Sequence, residues 1–186
     1  MIRVAIAFHS GYGHTRRIAE SIRDGAAAVS GVDAALIDVE QMAQSHWAEL
    51  DAADAIVFGS PTYMGGASAQ FKRFAESSSK TWLSQRWKDK IAGGFTCSMN
   101  IEGDKSGTLS YFVTLAMQHS MIWVGIGMLG AQTPGHPDEM NRFGASIGVM
   151  AQADNVPPDL SPPPGDIDTA RAYGQRIAEI ARRLRR

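Results

Sequence analysis

Residues 2–15 read Ile2-Arg3-Val4-Ala5-Ile6-Ala7-Phe8-His9-Ser10-Gly11-Tyr12-Gly13-His14-Thr15, and a helical pattern begins at Arg16. The order is strand, tight loop, helix. Such a loop presents backbone N–H groups, the hydroxyls of Ser10 and Thr15 and a helix N-terminus to one point, which favours a phosphate. Gly11 and Gly13 let the backbone turn sharply and approach an anion closely. Read alone, the stretch serves equally well as an ordinary βα turn with Thr15 as N-cap. The rest of the chain separates the two.

Short β-like runs alternate with longer helical patterns. The runs are Ile2–Phe8, Ala34–Val39, Ala55–Ser60, Ile91–Ser98 and Met121–Gly127, several of them nearly continuous in apolar residues. That is the pattern of strands covered on both faces. Helices are expected over Thr15–Ser30, Ser68–Ser79, Gly107–His119 and Asp166–Arg183. Ile18, Ile22, Ala26 and Val29 form one apolar stripe; Ala170, Tyr173, Ile177, Ile180 and Leu184 form another. Five strands with intervening helices predict a doubly wound α/β sheet, whose ligands bind beyond the C-terminal strand ends. Three loops fall there: Ser10–Thr15, Pro61–Gly66 and Ser98–Lys105. Gly127–Gly165 breaks the pattern. Loops of this length inside a compact domain are functional arms or lids, or disordered.

The bulk properties narrow the class. A chain of 186 residues with 44% hydrophobic and 20% charged residues reads as one globular domain over 1–186. A net charge of −1 points to no nucleic-acid partner, and no run approaches the length of a membrane span. The basic end Arg182-Arg183-Leu184-Arg185-Arg186 complements a helix C-terminus. The first strand begins at the N-terminus without room for a signal peptide, so the expected location is the cytoplasm. One cysteine, Cys97, excludes a disulfide framework and a cysteine-ligated iron–sulfur cluster. His46 and His136 lack partners at ligand spacing, so no metal is assigned.

One phosphate pocket beside two flat-sided loops suits a mononucleotide. Arg16 stands where a dinucleotide fingerprint needs its third glycine, and Gly103-Asp104-Lys105-Ser106 lacks the spacing of a nucleoside-triphosphate loop. Asp38 ends the second strand, where it is either a ribose-binding acid or a solvated strand end. Tyr63 and Met64 offer flat or soft surface to a ring.

Phe8–Thr15, Gly59-Ser60-Pro61-Thr62-Tyr63-Met64-Gly65, Gln70-Phe71-Lys72-Arg73-Phe74 and Leu115–Gly127 together resemble the flavodoxin-like superfamily. Within it they are most similar to NAD(P)H-dependent FMN reductases and WrbA-type NAD(P)H:quinone oxidoreductases. The resemblance covers nearly the whole chain and implies a flavodoxin-like, five-stranded parallel sheet with helices on both faces. It implies that Ser10, Gly11, Tyr12, Gly13, His14 and Thr15 hold the phosphate of FMN. Pro61, Thr62, Tyr63, Met64 and Gly65 would line the isoalloxazine ring, with Ser98, Met99 and Asn100 in a third flavin loop. Tyr12 would stand beside the nicotinamide, and His119 near the ring and substrate pocket, which makes both catalytic candidates. The residues alone allow His119 a second role, complementing a helix C-terminus. Asn141-Arg142-Phe143-Gly144 would lie where a partner-facing loop approaches the flavin.

The implied function is electron transfer from NADPH or NADH through FMN to a quinone-like acceptor, in a homodimer or homotetramer. The alternative is a flavodoxin-type electron carrier, though such carriers are typically strongly acidic. Two departures bear on acceptor and assembly. The third loop, Asn100-Ile101-Glu102-Gly103-Asp104-Lys105, replaces a run of glycines, and an insertion after the second strand is missing.

Overall fold

A computed structural model describes residues 1–185; Arg186 lies outside the described residues. Its central sheet runs β2 (Val32–Asp38), β1 (Ile2–Phe8), β3 (Ala55–Tyr63), β5 (Ile91–Ser98), then a fifth position. Every pairing along this path is parallel, from Ile2↔Val32 at one edge to Ala55↔Ile91 at the centre. Order 2-1-3 across the first three positions places the reversal of winding between β1 and β3, where ligands collect in such sheets.

The fifth position is the finding the sequence pattern did not foresee. Met121–Gly127 was expected as one strand, yet only β6 (Ile122–Trp123) pairs there, beside the lower half of β5. The upper half of β5 pairs instead with β7 (Val149–Gln152), in register Phe95↔Val149 to Ser98↔Gln152. Between them the chain leaves the sheet. The buried Tyr173 hydroxyl bridges the break, accepting from Gly94 N (3.1 Å) and donating to Val124 O (2.6 Å). Burial pushes that phenol's pKa upward, so it stays a donor.

Helices cover both faces. On one lie α1 (His14–Ala27) and α6 (Pro164–Leu184), whose stripes Ile18, Ile22, Tyr173 and Ile177 pack on Val4, Ile6 and Val57. On the other lie α3 (Ala69–Ser77) and α5 (Lys105–Gln118), whose Phe71, Phe74 and Phe112 pack with Phe58 and Trp87. Two further helices, α2 (Gln44–Ala52) and α4 (Ser79–Leu83), were not expected. Trp47 of α2 stacks on Phe74 (5.4 Å between centroids) and ties that helix to the aromatic layer. Ser68 caps α3, accepting from Phe71 N. Among the described residues no helix is long and apolar enough to cross a membrane.

Candidate functional site

The turn after β1 closes around one hydroxyl. Ser10 Oγ accepts from Gly13 N and Arg16 N, each at 3.1 Å. Thr15 is therefore not the N-cap: α1 begins at His14, Gly13 takes the cap position at φ 92°, and Ser10 does the capping from upstream. Thr15, released from that task, lines a cavity. The N–H groups of Gly11, Tyr12, His14 and Thr15 find no acceptor among the described residues. A side chain at Gly11 would meet the Tyr63 hydroxyl at 2.5 Å, so it would displace that ring from the cavity wall. Asp38 pairs at 2.8 Å with Arg16, which lies over Phe8, and it does not line that cavity.

The second loop leaves β3 as a hairpin. Tyr63 pairs with Gly66 of β4 (Gly66–Ala67) across the two-residue turn Met64-Gly65, with φ of 48° and 80°. Both central residues at positive φ make this a type I′ turn, the form that matches strand twist. It lifts Met64 fully into solvent, next to Tyr63 of the cavity wall. Thr62 turns inward, its hydroxyl bonded to Thr96 (2.7 Å) and Thr108 (2.8 Å), so only its backbone faces outward. Tyr63 stands edge-on to Tyr12 at 6.5 Å, and burial pushes its phenol pKa upward.

The third loop is held from behind. Ser98 and Met99 line the cavity; Asn100 is exposed and its carbonyl turns inward. The buried ammonium of Lys105 donates to Ser98 Oγ (2.9 Å), Asn100 O (2.7 Å) and Ile101 O (2.6 Å). Sequence reasoning passed over Lys105 because a lysine on a polar loop reads as solvated.

These loops meet around a cavity of about 530 Å³, within the range of small-molecule sites. Its far wall is Ala153–Pro158, which follows β7 and lies within the Gly127–Gly165 stretch expected as an arm or lid or as disordered, though no residue of it was named for the site. That segment is fastened to the first loop: His14 Nε2 meets Val156 O at 2.8 Å and Arg17 donates to Pro158 O at 2.7 Å. Recognising Met150-Ala151-Gln152 as a strand would have placed it on the same sheet edge.

Two candidates do not join the cluster. His119 caps the far end of α5, roughly 20 Å along the helix from Lys105 at 1.5 Å per residue. It is buried against Trp87 (4.4 Å), with Nε2 2.9 Å from Ser78 Oγ and Nδ1 unpartnered. Burial lowers its pKa to about 4, so at neutral pH it carries no charge for the helix dipole. Asn141 and Arg142 likewise point inward. Asn141 exchanges bonds with Ala145, and Arg142 makes a buried bidentate pair with Asp166 at 2.7 and 3.1 Å.

The free donors of the first turn and the apolar rim of Tyr12, Tyr63 and Met99 fit a phosphate joined to a flat ring, as in FMN. The match to known proteins agrees with this geometry. Residues 5–125 match the family model described as Flavodoxin domain. The chain is 38% identical to a protein of Pseudomonas aeruginosa named Flavodoxin FldP, over 99% of each. It is 31% identical to one of Geobacter metallireducens named NAD(P)H dehydrogenase (quinone), over 99% of this chain and 100% of that one. Among solved structures, a flavodoxin, WrbA-like protein from Agrobacterium tumefaciens is 43% identical with a TM-score of 0.79, both chains covered fully.

Proposed function

The chain belongs to the flavodoxin domain family, and from that premise we propose that it is an FMN-dependent reductase passing electrons from NAD(P)H to a quinone-like acceptor. The observation that carries this reading is the meeting of the donor-lined first turn with the Tyr12–Tyr63 rim and the Ser98-Met99 loop around one cavity. When bound, FMN supplies two-electron transfer between a reduced nicotinamide and the acceptor. The chain supplies position and shelter. Gly11, Tyr12, His14, Thr15 and the α1 dipole would hold the phosphate. The hairpin backbone at Thr62–Gly65 and the N–H groups of the third loop would hold the ring. Tyr12, exposed on the cavity wall, and Met64, exposed on the adjoining hairpin, would cover an incoming nicotinamide. The reading asks for no protein acid or base, since the flavin carries the chemistry.

A second reading, an electron carrier served by a protein reductant, is favoured by the relative named Flavodoxin FldP. Anaerobic mixing of FMN-loaded protein with NADPH separates the two. Rapid loss of the flavin's visible absorbance is the expected result. Flavin that binds and stays oxidised with NADPH and NADH alike defeats the reductase reading and leaves the carrier.

A further inference from the structure

Lys105 is buried almost completely, 1% exposed, at the first position of α5. Both facts are unfavourable for an ammonium. Burial removes its water, and the N-terminal end of a helix already carries positive potential. Its hydrogen-bond partners are all neutral: one hydroxyl and two carbonyls, with the Phe143 ring 4.9 Å away. The carboxylates nearby are otherwise engaged. Asp166 belongs to Arg142, and Glu102 accepts from Asp104 N. Lys105 forms no ion pair among the described residues. A buried cation without a direct ion-pair partner projects positive potential into its surroundings, with Asp166 and Glu102 acting on it only at longer range.

Its bonds also fix which side of the third loop faces out. The carbonyls of Asn100 and Ile101 are gathered inward onto Nζ, and Ser98 Oγ is drawn the same way. The N–H groups of Met99, Asn100 and Ile101 are left without acceptors among the described residues. The loop thus shows donors on its outer side and a charge directly behind them. Gly103, at φ 53°, permits this fold: a side chain there would collide with Ser98 Oγ. The arrangement sits one hydrogen bond behind Ser98, which lines the cavity.

We infer that Lys105 is a positioning residue for the flavin, holding the Ser98–Ile101 turn as a donor face and stabilising the electron-rich, reduced ring over the oxidised one. This rests on the reading that the cavity binds FMN. Negative charge gathers on the polar edge of a flavin ring as it takes up electrons, and nearby charge tunes that step.

The test is the midpoint potential of FMN-loaded protein, measured by anaerobic photoreduction against a reference dye. Lys105→Met removes charge and donors with little change in length. Lys105→Gln keeps donors without the charge and serves should the first variant fail to fold. In either, the preference for reduced over oxidised FMN should fall about tenfold, which lowers a two-electron midpoint by about 30 mV. Variants that bind FMN at the parent midpoint overturn the inference and leave the FMN reading standing. Parent protein that does not bind FMN in a fluorescence titration overturns both.

Discussion

His119 shows how far one residue's environment departs from its position in the sequence. It sits where a helix-ending histidine would complement the dipole as a cation, yet it is packed on Trp87 and bonded to Ser78. A neutral imidazole there has a consequence for acid stability. In the unfolded chain it takes a proton near 6.5, whereas the native state resists until about 4. Between those values the unfolded state binds more protons, so stability falls as the solution is acidified. The limiting slope is about 1.4 kcal/mol per pH unit. Burial lowers His9 as well, so the two act in the same direction. Denaturant titrations between pH 7 and 5 should show this loss, and His119→Gln should reduce it. An identical slope in the variant would assign the acid sensitivity to other groups.

At the level of elements, α1 and α6 approach so closely that two glycines become obligatory. A Cβ at Gly174 would lie inside the carbonyl of Ile22, and one at Gly25 inside the carbonyl of Arg171. Backbone cannot yield as a side-chain tip does. Gly174→Ala gains about 1 kcal/mol of helix propensity but forces the helices apart at a cost of about 3 kcal/mol. The net loss of about 2 kcal/mol should appear as a lower melting temperature; an unchanged or raised one would mean the helices separate freely. Neither glycine stood out beforehand, because close approach depends on which helices become neighbours. What periodicity could show, it showed: β1 and β5 end where their apolar runs end. The segment Gln44–Ala52 was invisible for a different reason: only Leu50 is buried and no stripe forms. The loops at Ser10, Pro61 and Ser98 were legible because strand ends locate ligands whatever the loop's own conformation. What the loops do with their side chains was not: Ser10 rather than Thr15 caps, and Thr62 turns inward.

For the whole molecule, the question is what holds the excursion between β6 and β7 against the sheet. Its deepest attachment is Arg142, whose guanidinium pairs with Asp166 while stacking 4.4 Å over Phe143. Asp166 also accepts from Gln152 N (2.8 Å), and Arg142 donates to Gln152 Oε1 (3.1 Å). One ion pair thereby joins the excursion, the edge strand β7 and the first turn of α6. The wall Ala153–Pro158 hangs from that junction, and so the cavity does too. Burial pushes the Asp166 pKa upward against the pull of Arg142, a sign of how much solvation both charges have given up. Asp166→Ala leaves the guanidinium buried and unpaired, and should cost about 3–5 kcal/mol in denaturant unfolding. Pairing Arg142→Met with Asp166→Leu removes both charges and should recover most of that loss, because two apolar groups of similar volume need no water. The double variant also loses the bonds to Gln152, so the edge of β7 and the wall beyond it should exchange amide hydrogens faster than in the parent. A double variant as unstable as the single one would show that the charges themselves, rather than their burial in balance, hold the excursion in place.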